Sequence, residues 1–252
     1  MSAHSPDSVL DLEQFRLFSA TFEARSRPNY LQWDRSGTLW SGMLRKRPQL
    51  EVLQAAPDVT SFKLEKRYAL AVALKTVGVI EEHTSFSVTD EKPHTSLTGF
   101  VECVEEFLNA VTEVLEIDEF TRVGLRLMFE REYQDISTAN EALFRTKLLQ
   151  CPTGPHFGIE GKPSNPSYLI KWEGEKKGAM VHLHTETRKI EFNPPPQMTG
   201  VEGFEKELNR LLYDFDYYTR APVALSQLRV SDWISNALHL ARRDSGKFLG
   251  GI

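Results

Sequence analysis

The chain is poor in the features that announce a chemistry. Cysteine occurs only twice, at Cys103 and Cys151, without CxxC spacing, and the two read as reduced thiols of a cytoplasmic protein. Long apolar runs are missing: the longest, around Tyr68 to Val79, is interrupted by Lys75 and Gly78. It falls far short of the ~20 residues that a membrane-spanning helix needs, so no membrane association is expected. The first twelve residues carry Asp7 and Asp11 in place of the basic and then apolar blocks of a signal peptide, which argues against export. The phosphate-cradling patterns GxGxxG and GxxxxGK[ST] are absent, as is the GxSxG nucleophile elbow. Gly158-Ile159-Glu160-Gly161-Lys162 resembles a fragment of the second pattern but lacks the flanking strand and helix that would aim backbone amides at phosphate. No cofactor is expected.

What is present is a soluble, foldable composition: 252 residues, 40% apolar and 26% charged, enough to bury a sizeable core. The net charge of -5 is unevenly spread, with 5 Lys and Arg against 15 Asp and Glu in residues 76–145. An acidic block of this kind repels a phosphate backbone and suits a basic protein partner.

Periodicity supplies the elements. Leu17, Ser19 and Thr21 alternate with Phe18, Ala20 and Phe22, the period of a half-buried strand. Residues 30–47 fit either a short helix or an irregular cover. Strands follow between Ser61 and Val88, where β-branched and apolar residues are dense. Phe100, Cys103, Val104, Phe107, Ala110, Val111 and Val114 then recur at helical spacing behind Thr98 as N-cap. Residues 120–130 read as the strongest strand, with Val123, Leu125, Leu127 and Phe129 on one face and Arg122 and Arg126 on the other, where acidic neighbours are expected to pair with them. A short helix over 137–149 leads into the breakers of 151–166, which predict a unit boundary. Strands are expected at 167–172, 179–185 and 189–192, a second amphipathic helix from about 200, a final helix from Ser226, and a fraying, flexible tail at 245–252.

The echo of Thr98-Gly99 in Thr199-Gly200, with a shift of 101 residues setting Cys103, Phe107 and Ala110 against Phe204, Leu208 and Leu211, suggests an internal duplication. The expectation is an α+β protein of two sheet-plus-helix units, residues 1–150 and 151–252, each with a largely antiparallel sheet.

Three residue sets invite a site. His182, His184 and Glu186 alternate, so on a strand they share one face, and two imidazoles with a carboxylate suit zinc or iron and metal-assisted hydrolysis. The plainer reading packs Val181 and Leu183 inward and turns the trio to solvent. Arg45, Lys46 and Arg47 beside Trp40, with Lys63, Lys66 and Arg67 beyond, form the one basic concentration and could meet phosphate while the indole stacks a base. Glu102, Glu105 and Glu113 occupy the outer face of the acidic helix and could receive a basic partner.

Thr121-Arg122-Val123-Gly124-Leu125-Arg126 resembles the Arg-hydrophobic-Gly-Leu-Arg central strand of a sporadically distributed, poorly characterised family of bacterial proteins of about 250 residues, in which the strand also follows a helix near mid-chain. Members continue with an aromatic and an Asn, where Leu127, Met128 and Phe129 stand here. The resemblance implies no catalytic residues; patchy occurrence suits an accessory system such as phage defence or a toxin-associated module. With no catalytic set in view, the sequence points to a non-enzymatic interaction or adaptor protein with a protein partner; metal-dependent hydrolysis and nucleic-acid binding are the alternatives.

Overall fold

The computed structural model describes residues 10–77, 81–94, 96–146, 148, 164–192 and 204–250. The chain forms β1 (Arg16–Ser26), α1 (Leu31–Lys46), β2 (Glu51–Ala55), β3 (Val59–Leu64), β4 (Tyr68–Val77), β5 (Glu81–Asp90), α2 (Thr98–Leu115), β6 (Glu119–Phe120), β7 (Arg122–Tyr133), α3 (Ile136–Arg145), β8 (Ser167–Glu173), β9 (Lys177–Phe192), β10 (Phe204–Thr219), β11 (Val223–Ala224) and α4 (Val230–Leu249). The fold is α+β: nine strands make one sheet in the order β2-β3-β4-β5-β1-β7-β10-β9-β8, and β6 and β11 pair separately.

Every neighbouring pair in the large sheet is antiparallel. The two halves of the chain meet where β1 runs against β7, with Phe22 opposite Leu125 and Ala20 opposite Leu127. Beyond that seam β7 pairs with β10, Leu125 opposite Tyr217, so strands from residues 1–150 and 151–252 belong to the same sheet. On each side of that seam the order strand, helix, strands, helix recurs.

Alternation decides which face is dry. Ala20, Phe22 and Ala24 of β1, Val123, Leu125 and Leu127 of β7, and Val181 and Leu183 of β9 are buried on one face. The helices bring Leu39, Met43, Phe100, Phe107, Val111, Leu143, Ile234 and Ala237 to the same core. At its heart Phe107 of α2 lies 5.1 Å from Phe86 and 6.1 Å from Phe62, ring centroid to centroid. Residues 30–47 resolve as a helix because Asn29 turns the chain at its start: its Oδ1 accepts from the Leu31 amide at 3.0 Å and its Nδ2 donates to the Leu115 carbonyl at 2.6 Å. Asp135 caps α3 by accepting from the Thr138 amide at 2.8 Å, which holds its carboxyl below the usual range.

Four sequence expectations need correction. The second amphipathic helix is instead strand β10, so the 101-residue shift sets a helix against a strand. Leu208, Leu211, Leu212 and Phe215 imitate helical spacing, but Tyr213, Phe215 and Tyr217 alternate with Asp214 and Asp216 in register with both β7 and β9. The tail is not frayed from residue 245: α4 runs to Leu249, whose burial with Ser245 anchors the last turn. Leu97, not Thr98, is the N-cap of α2, in a left-handed conformation and without a side-chain cap. Strand β2 was not anticipated. The breaker run of 151–163, with Cys151 and His156, lies outside the described residues.

Candidate functional site

The sheet face turned away from the core carries a continuous band of ion pairs. Arg126 Nε and Nη2 donate to the two carboxylate oxygens of Asp214 at 2.8 and 2.6 Å. Arg122 reaches Asp216 at 2.9 Å and Glu23 at 3.2 Å, and Arg25 donates to Glu23 at 2.6 Å. Arg210 joins Glu130, at 2.6 Å, to Glu186, and Arg16 also meets Glu130. Five arginines are thus tied to five carboxylates. The band neutralises itself, so it offers no net positive field to a polyanion. Burial pushes the Asp216 carboxyl up, and the nearby Arg122 opposes that rise.

His182, His184 and Glu186 do share this face, with Val181 and Leu183 turned inward. Each of the three is engaged differently. The His182 Nε2 sits 2.8 Å from Ser167 Oγ of β8, and Glu186 accepts from Arg210. The two imidazoles stack, 4.2 Å between centroids and 20° between planes. A metal lies in the plane of each ligating ring at about 2.0–2.1 Å, and the in-plane lone pairs of stacked rings run side by side instead of converging. Among the described residues no group of three or more His, Cys, Asp or Glu is placed to hold a metal ion. His184 is half-buried, its Nδ1 has no hydrogen-bond partner, and burial followed by the neighbouring His182 lowers its pKa.

The basic stretch is divided by pairing. Arg47 donates to both oxygens of Glu106, the closest contact 2.6 Å; Lys63 pairs with Glu91 at 2.5 Å; Arg67 grips buried Asp90 at 2.9 and 2.7 Å and lies over the Tyr68 ring. Arg45 and Lys46 remain exposed, while Trp40 packs against the core. Three of the six cations, Arg47, Lys63 and Arg67, are committed to carboxylates, and the Trp40 indole is half-buried.

Glu102 and Glu113 stand exposed on α2 and Glu105 is half-exposed; their neighbour Glu106 is the one held by Arg47. Cys103 is buried against the core, and desolvation pushes its thiol up to about 12, the state of an inert packing residue.

Sequence reading missed the sheet edges. β2 and β8 are the outer strands among the described residues. β2 spans five residues and its pairing shifts register between Val52 and Gln54, an irregularity that disturbs the edge. β8 pairs residue for residue with β9 over seven positions, Ser167 opposite His184 through Glu173 opposite Gly178. Along β8, Tyr168 and Ile170 pack against the core, Leu169 is 57% exposed and Trp172 39% exposed. The signal was present in the alternation of 167–172, but edge position depends on sheet order, which no local pattern carries.

Comparison with known proteins adds one partial likeness. No family model matches the chain, and no solved structure matches it. A stretch of 90 residues, 34% of the chain, is 32% identical to the eIF-2-alpha kinase GCN2 of Homo sapiens and corresponds to 5% of that protein. The chain therefore spans a small fraction of that protein's length.

Proposed function

We propose that this chain is a non-enzymatic interaction protein that receives an extended segment of a protein partner on the outer edge of β8. The observation that carries the reading is that edge: seven regularly paired residues, a row of backbone groups with no further strand beside it among the described residues, and the exposed apolar side chain of Leu169, with Trp172 partly exposed on the same strand. Backbone hydrogen bonds to an added strand supply affinity, and alternating side chains supply choice. The bulged β2 edge is the poorer template. The self-neutralised band on the adjacent face favours a protein over a nucleic acid. No helix among the described residues is long and apolar enough to cross a membrane, which is compatible with a cytoplasmic location. The resemblance of Arg122 to Arg126 to the bacterial family supports an accessory role, in defence or beside a toxin.

Co-purification from the native cell names the partner, and binding of the purified pair then tests the edge. Replacing Leu169 and Trp172 together with Ser should weaken binding by about tenfold or more, with the thermal transition retained. Undiminished binding overturns the reading. Loss instead in a Glu105→Lys, Glu113→Lys variant, with the β8 variant binding normally, would move the interface to α2.

A further inference from the structure

On the core side of the sheet, at the end where β9 begins and β10 finishes, a hollow of about 520 Å³ opens beside the start of α4. Its apolar lining comes from Ala221, Pro222, Val223 and Leu228, in the segment between β10 and α4, and from the ring of Trp233. Its charged lining is mostly cationic: Lys176, Lys177 and Arg229, against the single carboxylate of Asp232, with Thr219, Gln227 and Asn236 as neutral polar neighbours. None of the four charged groups makes an ion pair with another described residue. That sets them apart from the five arginines of the ion-pair band on the opposite face, each of which has a carboxylate.

Lys177 is placed by its register opposite Thr219, so its chain lies on the aromatic side of the sheet. Its Nζ stands 5.3 Å from the Trp233 ring centroid and 5.5 Å from that of Tyr217, and those two rings stack at 4.9 Å. Ring faces hold an ammonium without cancelling its charge, so it stays available to an anion. The Trp233 indole Nε1 is a buried donor with no acceptor among the described residues. The first amides of the twenty-residue helix α4 add to these groups, since no side chain caps them and the first helical bond runs from the Trp233 amide to the Arg229 carbonyl.

We propose that this hollow binds a small organic monophosphate. The head would sit among Lys177, Lys176, Arg229 and the first amides of α4, and its apolar body would lie against Trp233, Pro222 and Leu228. A phosphate monoester matches the three cations better than a carboxylate does, because it carries close to two negative charges at neutral pH and three acceptor oxygens. The apolar lining distinguishes an organic phosphate from the inorganic ion. This site is on a different element set from the β8 edge, so it stands or falls separately from the proposed partner binding.

The test is titration of the full chain with phenyl phosphate, inorganic phosphate, benzoate and phenol, followed by the indole N–H resonance of Trp233, assigned with Trp233→Phe. Phenyl phosphate should move that resonance saturably and bind about tenfold or more tighter than the other three probes. Lys177→Met and Arg229→Gln, each checked for an unchanged thermal transition, should each weaken phenyl phosphate several-fold, and Asp232→Asn should tighten it. Benzoate or phenol binding as well as phenyl phosphate, an indole resonance that does not move, or affinity unchanged in both cation variants would each overturn the proposal.

Discussion

A Cβ added to Gly124 would stand 3.3 Å from Nη1 of Arg122, two residues back on the same strand face. The missing side chain lets the guanidinium fold along β7, reach Glu23 and Asp216, and lie 4.7 Å from the Tyr218 ring centroid. The Arg-Val-Gly-Leu-Arg run is thus a unit: alternation sends both arginines to the polar face, and the glycine between them clears the path of the first.

Replacing Gly124 with Ala should therefore act through Arg122. Ala in a strand gains roughly 0.5–1 kcal/mol over Gly from backbone entropy, which normally stabilises. Here displacement of the guanidinium leaves half-buried Asp216 short of its partner, at a cost of about 1–3 kcal/mol, so a net loss is expected. In an Arg122→Met background the same substitution should become neutral or stabilising. Urea denaturation of the four-member cycle measures the difference, and equal effects in both backgrounds would refute the coupling.

Arg126 and Asp214 differ in burial: the arginine side chain is 51% exposed and the carboxylate 2%. Truncating Arg126 to Met leaves a buried charge alone and should cost about 1–3 kcal/mol, a range set below that of a fully buried pair because water reaches the arginine side. Adding Asp214→Asn to that variant should restore part of the loss. Chemical denaturation of single and double variants checks both statements.

Phe107 is wholly buried between Phe62 and Phe86. Phe107→Ala should cost about 3–5 kcal/mol, seen as an earlier denaturation midpoint with the cooperativity retained. A loss below about 1 kcal/mol would mean that the cavity collapses or that the ring is not where the packing places it.

His184 has a depressed pKa in the folded chain, first from burial and then from His182. The unfolded chain takes up its proton near the ordinary imidazole value of about 6.5, the folded chain only at lower pH. The neutral form's contribution to stability is thus complete above about pH 7 and is lost as pH falls below the unfolded value towards the folded one. Denaturation midpoints measured from about pH 7.5 down to about pH 5, a range that brackets the ordinary imidazole value of about 6.5, should fall, and His184→Gln should flatten that slope. Parallel slopes would assign the pH dependence to other groups.

Much of this molecule is readable locally. The alternation of Val123, Leu125 and Leu127 and the helical spacing of Phe100, Phe107 and Val111 each bury one face, so periodicity and burial agree. β10 defeats the same logic because its apolar residues satisfy both periods, and only pairing with β7 and β9 decides between them. The shared face of His182, His184 and Glu186 was legible too. Their partners were not, since Ser167 and Arg210 arrive from neighbouring strands whose order is a property of the whole chain. The same holds for Arg47, Lys63 and Arg67, a basic run in sequence whose partners Glu106, Glu91 and Asp90 come from other elements.

The pairing of β1 with β7 has a cost in time. β1 leaves the ribosome about a hundred residues before the strand that flanks it on that side. Until residue 122 emerges, the early sheet β2-β3-β4-β5-β1 ends in an open margin where the backbone groups of β1 await β7. Long-range pairing of this kind closes slowly, and an exposed margin is a template for the wrong neighbour. A nascent chain halted before that point would be more prone to aggregate than one halted after Tyr133, so the vulnerable interval in the life of this protein belongs to its synthesis.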